Sequence, residues 1–161
     1  MSLQQFLKEQ ADWLRSPEAR QVVSEWTSAV SHLMNQIQGW LEEADTEQIL
    51  QILTPLYELR EEGLPQYAVR GLDISLGGRT AQIIPIARKA IGPYIWHRGE
   101  SAPIRAQGLV ELRGSGLVYR LYRYNDPDGV ERWELFEEDR LDLGQILDRA
   151  VFEKAMTKLL S

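Results

Sequence analysis

Residues 108–136 read GLVELRGSGLVYRLYRYNDPDGVERWELF, and this stretch decides the fold. Apolar and polar residues alternate along it in three runs, and glycine-bearing turn signals separate the runs. The pattern predicts three consecutive antiparallel strands, over residues 108–113, 117–124 and 130–136. The first turn is expected at Gly114-Ser115 and the second at residues 125–129.

The lengths of the two turns also predict a register, because the loop of a hairpin fixes which residues face each other across it. Leu121 is expected opposite Trp133, within an apolar face. On the other face the basic second strand meets the acidic third strand, and the expected pairs are Arg120 with Glu134 and Tyr122 with Arg132. At the strand end, Arg123 is expected to face Glu131. Pairs of this kind contribute about 0.2–1 kcal/mol each, so part of the basic charge is expected to be neutralised within the sheet.

A hairpin is also predicted on the N-terminal side of this stretch. Residues 73–76 and 79–84 alternate around Gly77-Gly78, which is typical of two strands joined by a tight turn. Residues 94–97 form a further short strand candidate. The predicted sheet is antiparallel and twisted, with five to six strands.

Residues 1–62 have helical rather than alternating spacing. The apolar residues of 3–14 share one helix face, and Ser16-Pro17 is a typical start for a second helix. In that helix the apolar residues are three or four apart, as in a heptad pattern: Val23, Trp26, Val30, Leu33, Ile37, Trp40 and Ala44. A third helix, kinked at Pro55, is predicted after Asp45 from the spacing of Ile49, Ile52, Leu56 and Leu59.

The predicted fold class is α+β. An N-terminal helical hairpin or three-helix segment covers residues 1–62, and residues 63–161 form the antiparallel sheet and a C-terminal helix over 148–160. Residues 137–142, which are rich in acids, are expected to be a solvated linker before that helix. At 161 residues the two parts are expected to form one structural unit.

Two tryptophans on the heptad stripe of the second helix need a large apolar surface to pack against. The sheet and the neighbouring helices of the same chain are one such surface, and a second copy of the chain is the other. In the second alternative, a homodimer, the interface residues are Trp26, Val30, Leu33, Ile37 and Trp40.

The charges are sorted along the chain. Residues 1–62 hold 4 Lys/Arg and 11 Asp/Glu, a net charge of −7. Residues 63–125 hold 9 and 3, a net of +6, and residues 126–161 hold 5 and 10, a net of −5. A basic middle between acidic ends either recruits an anionic partner or is neutralised by its own flanks. Several cations have no obvious partner in the predicted register: Arg79, Arg88, Lys89, Arg98, Arg105 and Arg113.

Several kinds of chemistry are not expected from this sequence. The absence of cysteine excludes disulfides, thiolate metal sites and cysteine nucleophiles. His32 and His97 are the only histidines, and two histidines without spaced carboxylates do not predict a zinc site. No glycine-rich phosphate-binding motif opens a helix after a strand. We therefore expect no metal, no cofactor and no membrane span, and a cytoplasmic location.

The candidate contact patch combines unpaired cations with aromatic side chains on the sheet. Its residues are Tyr94, Trp96, His97, Arg98, Arg105 and Arg113. The leading interpretation is a non-catalytic interaction or adaptor module of a bacterial-type cytoplasm, which binds a protein partner whose acidic or phosphate-bearing surface matches the patch in charge. One alternative is single-stranded nucleic acid or a phosphate ligand on the same face. Another is a small enzyme that uses His97 with Glu100 in acid–base catalysis.

Overall fold

The computed structural model describes residues 1–96 and 102–161. In chain order its elements are α1 (Leu3–Leu14), α2 (Pro17–Ala44), β1 (Gln51–Leu53), β2 (Leu56–Leu59), β3 (Tyr67–Arg70), β4 (Leu72–Leu76), β5 (Arg79–Ala87), β6 (Leu109–Gly114), β7 (Leu117–Asn125), β8 (Glu131–Glu137), β9 (Arg140–Ile146) and α3 (Arg149–Leu159). None of these described helices is both long enough and apolar enough to cross a membrane.

Seven strands form one antiparallel sheet, in the order β1-β4-β5-β6-β7-β8-β9, while β2 and β3 pair in a second sheet. From β4 to β9 each strand pairs with the next one in the chain, so this part of the sheet is a meander. The α+β class, the antiparallel sheet and the C-terminal helix are therefore confirmed. The described sheet has more strands than the five to six predicted, because β9 forms where residues 137–142 predicted a solvated linker and β1 forms where a helix was predicted.

Strands β1 to β4 form one long two-stranded ribbon with a bend. The register of β1 with β4 continues without a shift into that of β2 with β3. At the bend, the Gly71 amide donates a hydrogen bond to the Pro55 carbonyl oxygen at 2.9 Å. Glycine is required at this position because a Cβ on Gly71 would lie 2.3 Å from the Ile83 carbonyl oxygen of β5. The bend therefore lies where β5 packs directly against the ribbon.

The helix predicted after Asp45 is wrong, because this part of the chain forms β1 and β2. The Asp45 carboxylate accepts hydrogen bonds from the Ile49 and Leu50 amides, both at 2.9 Å, and so closes a turn instead of capping a helix. The helical spacing of apolar residues here is a local signal, and pairing with β3 and β4 outweighs it. The boundary predicted between the helical segment and the sheet, at residues 62 and 63, therefore lies in the connection between β2 and β3, within the ribbon.

The register predicted for β6, β7 and β8 is wrong by two residues. Leu121 faces Leu135 instead of Trp133, because each turn lies one residue further along the chain than predicted. Ser115 and Gly116 have φ values of 49° and 75°, and two left-handed residues are typical of a type I′ hairpin turn. A shift of two residues leaves every side chain on its predicted face, so the apolar face of these strands is the predicted one.

The ion pairs on the sheet differ accordingly. Arg120 contacts Glu111 at 3.4 Å and Glu138 at 3.6 Å, and not the predicted Glu134. Glu134 instead pairs with Arg132, two residues away on its own strand, at 3.0 Å. Arg120 and Arg132 are therefore paired with nearby acids, although the partner of Arg120 is not the one that the register predicted.

The main core lies between one face of the seven-stranded sheet and helices α2 and α3. The first residue before α2, Ser16, accepts a hydrogen bond from the Ala19 amide at 3.1 Å, as a helix cap does. Trp26 of α2 is fully buried, and its ring centroid lies 6.0 Å from that of Trp133 on β8. Helix α2 lies close to Gly108, the residue before β6. A Cβ on Gly108 would be 2.1 Å from the Trp26 ring.

The heptad stripe of α2 packs inside a single chain. Four of the five residues named for a dimer interface are at most 1% exposed: Trp26, Val30, Leu33 and Ile37. The fifth, Trp40, is half-buried, and its ring centroid lies 5.6 Å from that of Phe152 on α3. The structure therefore corresponds to the intrachain alternative, and the four buried residues present no surface to a second copy.

The opposite face of the sheet has a smaller core of its own. Its buried residues are Tyr122, Tyr124 and Phe136. The connection between β5 and β6 packs on them through Ala90, Ile95, Ile104 and Ala106. Within the described residues, the predicted short strand 94–97 is reduced to a single bridge between Ile95 and Ile104. This connection carries the candidate functional site.

The close packing at Trp26 predicts the effect of one added methyl group. Gly108→Ala should lower the free energy of unfolding by about 1–3 kcal/mol, since the new Cβ overlaps the indole ring. Gly39→Ala on α2 is the matched control, because a Cβ there meets no atom within 4 Å. It should raise the same free energy by about 0.5–1 kcal/mol, since alanine favours a helix more than glycine does. Urea titration followed by circular dichroism measures both variants, and a Gly108→Ala protein of unchanged stability would contradict the packing.

Candidate functional site

A cavity of about 590 Å³ lies beside the smaller core, within the connection between β5 and β6. Two segments of that connection form it, residues 88–94 and 105–107. Its polar lining consists of Arg88, Lys89, Tyr94, Arg105 and Gln107. No aspartate or glutamate is among the described residues that line it, so we call it the basic cavity.

Two tyrosines of β7 fix the first segment to the sheet. The Tyr124 hydroxyl donates a hydrogen bond to the Pro93 carbonyl oxygen at 2.5 Å. Gly92 lies against the Tyr122 ring, where a Cβ would be 2.4 Å from a ring carbon. Burial raises the pKa of Tyr124, and the charge of Glu134 raises it further. The hydroxyl therefore remains a protonated donor at neutral pH.

The second segment is also held by β7. The Gln107 amide donates to the Arg123 carbonyl oxygen at 2.7 Å, and Asn125 Nδ2 donates to Gln107 Oε1 at 2.9 Å. Backbone hydrogen bonds between Ile95 and Ile104, at 3.1 and 2.6 Å, join the two ends of the connection. The walls of the basic cavity are therefore attached to the sheet on both sides.

Glu61, which follows β2, fixes the start of the first segment. Its Oε2 accepts a hydrogen bond from the Arg88 amide at 3.0 Å, and its Oε1 accepts one from the Lys89 amide at 2.8 Å. The Tyr67 hydroxyl donates to the same carboxylate and accepts a hydrogen bond from Trp26 Nε1 at 3.0 Å. Burial raises the pKa of Tyr67, and its hydrogen bond to Glu61 raises it further. A chain of hydrogen bonds thus runs from the main core to the wall of the basic cavity.

The three cations of the basic cavity form no ion pair with any carboxylate in the described part of the chain. Lys89 Nζ donates to the Glu62 carbonyl oxygen at 3.0 Å. Arg88 Nε is buried and has no hydrogen-bond partner among the described residues. Because a buried donor without an acceptor costs about 1–3 kcal/mol, Arg88 retains capacity to bind an anion.

The predicted contact residues do not all lie together. Tyr94 and Arg105 line the basic cavity. Trp96 lies two residues after Tyr94 along the connection, is 65% exposed and does not line the cavity. Three residues named from the sequence lie outside the described residues: His97, Arg98 and Glu100.

Arg113 belongs to the sheet and does not line the basic cavity. It pairs with Glu111, which also contacts Arg120, so its charge is neutralised. Arg88 and Lys89, which the predicted patch omitted, take its place among the cavity cations. In the sequence these two residues are adjacent cations that follow a predicted strand in the basic middle of the chain. The sequence alone does not show that the connection after them folds back over the sheet.

No protein-family model matches this chain, and neither a curated protein nor a solved structure shows significant similarity to it. Its function is therefore inferred from the geometry and charge of the basic cavity.

The hydrogen-bonded chain through Tyr67 predicts the effect of removing one hydroxyl. Tyr67→Phe leaves Trp26 Nε1 buried without its acceptor, so it should lower the free energy of unfolding by about 1–3 kcal/mol. Hydrogen exchange at the Arg88 and Lys89 amides should also become faster, because their acceptor, the Glu61 carboxylate, loses its hydrogen bond from Tyr67. Tyr57→Phe on β2 is the control, since its hydroxyl is not part of this chain. Equal stability and equal exchange rates in the two variants would contradict the role given to Tyr67.

Proposed function

We propose that this protein is a non-catalytic interaction module, and that it binds an acidic segment of a protein partner in the basic cavity. One observation carries the proposal: three cations gather in a cavity whose described lining contains no carboxylate. The cytoplasmic location expected from the sequence is part of the same proposal.

The charge distribution around the basic cavity supports this choice of site. On the sheet, Arg113 and Arg120 both contact Glu111. The carboxylate offsets their positive charge, so they attract an anionic ligand less strongly than unpaired cations do. The cavity cations have no such partners in the described residues, and the volume of about 590 Å³ lies in the range of about 300–1,000 Å³ that is usual for ligand pockets. An anionic side chain entering here gains charge–charge attraction without displacing any acid among the described lining residues.

The side chains of the basic cavity also suit a peptide. A guanidinium group such as that of Arg105 can donate two parallel hydrogen bonds to one carboxylate. Tyr94 lines the cavity and Trp96 follows it two residues later, and both are more than half exposed. Tyrosine, tryptophan and arginine side chains are typical of the centres of protein interfaces. An acidic segment with apolar residues between its acids would use both kinds of contact.

Binding of a labelled polyglutamate peptide, followed by fluorescence anisotropy at low salt, tests the proposal. Arg105→Gln should weaken binding about tenfold, since it removes a charge-assisted contact. Arg113→Gln is the matched control, because it makes the same chemical change on the sheet, outside the cavity lining. Its affinity should stay close to that of the unsubstituted protein. No binding by the unsubstituted protein, or an equal loss in the two variants, would count against the basic cavity.

Single-stranded nucleic acid is the second candidate, because Tyr94 and Trp96 could stack on bases next to the cations. It predicts that a labelled single-stranded oligonucleotide binds more tightly than polyglutamate, and that the logarithm of its affinity falls with the logarithm of salt concentration with a slope of about −0.7 per phosphate contacted. Tighter binding of the oligonucleotide would replace the proposal of an acidic protein segment.

A further inference from the structure

A second cavity, of about 340 Å³, lies between β9 and α3. Its lining includes Tyr119 and Leu135 on the helix-covered face of the sheet, and Val151 and Ala155 on α3. None of its lining residues belongs to the basic cavity. We call it the β9–α3 cavity, and its floor is mainly apolar.

Three of the described cations line the same cavity. Lys154 and Lys158 are four residues apart on α3 and therefore lie on the same side of the helix. Both line the β9–α3 cavity, together with Arg140 of β9 and one acid, Glu137. Within the described part of the chain neither lysine forms an ion pair, whereas Arg140 contacts Asp142 at 3.6 Å. Among the described lining residues, cations outnumber acids.

The pairing of β8 with β9 is irregular beside the cavity. Leu135 pairs with Gln145 and Glu137 pairs with Arg140, so residues 141–144 of β9 face a single residue of β8. This is a large bulge, and bulges redirect the side chains of an edge strand. Leu143 and Gly144, both within the bulge, form part of the cavity wall.

We propose that the β9–α3 cavity binds a small amphipathic carboxylate, such as a short alkanoate. Its alkyl chain lies on the apolar floor, and its carboxylate contacts the ammonium groups of Lys154 and Lys158. Both parts of the ligand are needed, since an inorganic anion leaves the floor in contact with water and a neutral alkane leaves the two cations without a partner.

Two polar groups of the cavity refine this expectation. Burial raises the pKa of Tyr119, and the charge of Glu137 raises it further, so the hydroxyl stays protonated and is able to donate to a carboxylate. Glu137 repels a bound carboxylate, and replacing it should strengthen binding. Glu137→Gln is therefore expected to raise the affinity for an alkanoate several-fold.

Isothermal titration calorimetry with hexanoate, octanoate and decanoate tests the proposal on the full chain. Affinity should rise about fourfold for each methylene group, as expected for burial of an alkyl chain. The double variant Lys154→Gln/Lys158→Gln should bind octanoate about tenfold more weakly. Lys8→Gln, on α1, is the matched control and should have no effect, because Lys8 does not line the cavity.

A second variant adds a negative charge to the cavity wall without disturbing the main core. Leu143 is 57% exposed on the edge strand, so Leu143→Asp should fold normally while placing a negative charge in the cavity wall, and it should weaken octanoate binding about tenfold or more. Equal affinities along the alkanoate series, equal binding of octyltrimethylammonium, or unchanged affinity in the lysine double variant would each overturn the proposal.

Discussion

The position of Trp26 is the constraint on which the rest of the structure depends. Its indole ring fills the space between α2 and the sheet, at a point where Gly108 contributes no side chain. A buried indole N–H needs an acceptor, and the Tyr67 hydroxyl supplies one. Tyr67 in turn contacts Glu61, whose carboxylate fixes the first two amides of the basic cavity. Packing in the main core is thereby coupled to the geometry of the candidate site on the other face of the sheet.

The sorted charges of the sequence separate into two groups in the structure. One group is neutralised internally, and Arg123 is its clearest member: its side chain is 6% exposed and contacts Glu25 of α2 at 2.7 Å and Glu131 of β8 at 2.6 Å. The ion pair of Arg123 with Glu131 that the sequence predicted does form, but diagonally, because Arg123 faces Trp133 across the strands. Because the Arg123 side chain is buried while its two acids are partly exposed, these ion pairs compensate a buried charge and connect α2 to the sheet. The other group is formed by the cations of the basic cavity, which have no acid partner among the described residues.

The sequence was most informative where structure is local. Alternation over residues 108–136 predicts three strands and the face of each side chain, but Gly114-Ser115-Gly116 permits two placements of the turn, and only the φ values of Ser115 and Gly116 distinguish them. Residues 45–62 were mispredicted because their partner strands lie further along the chain, and the helical spacing of apolar residues does not report that pairing. The basic cavity was found in part: Tyr94 and Arg105 follow from composition, whereas the return of the connection over the sheet depends on Tyr122 and Tyr124.

Arg120 and Arg123 are neutralised by acids of the chain, whereas the arginines of the basic cavity are able to bind an anion. The most direct test is an NMR titration with polyglutamate that follows the arginine Nε–H signals. The signals of Arg88 and Arg105 should shift as peptide is added, and those of Arg120 and Arg123 should stay in place. Shifts of equal size at Arg120 and Arg123, or unchanged signals at Arg88 and Arg105 under conditions where the peptide binds, would contradict this division of the charges.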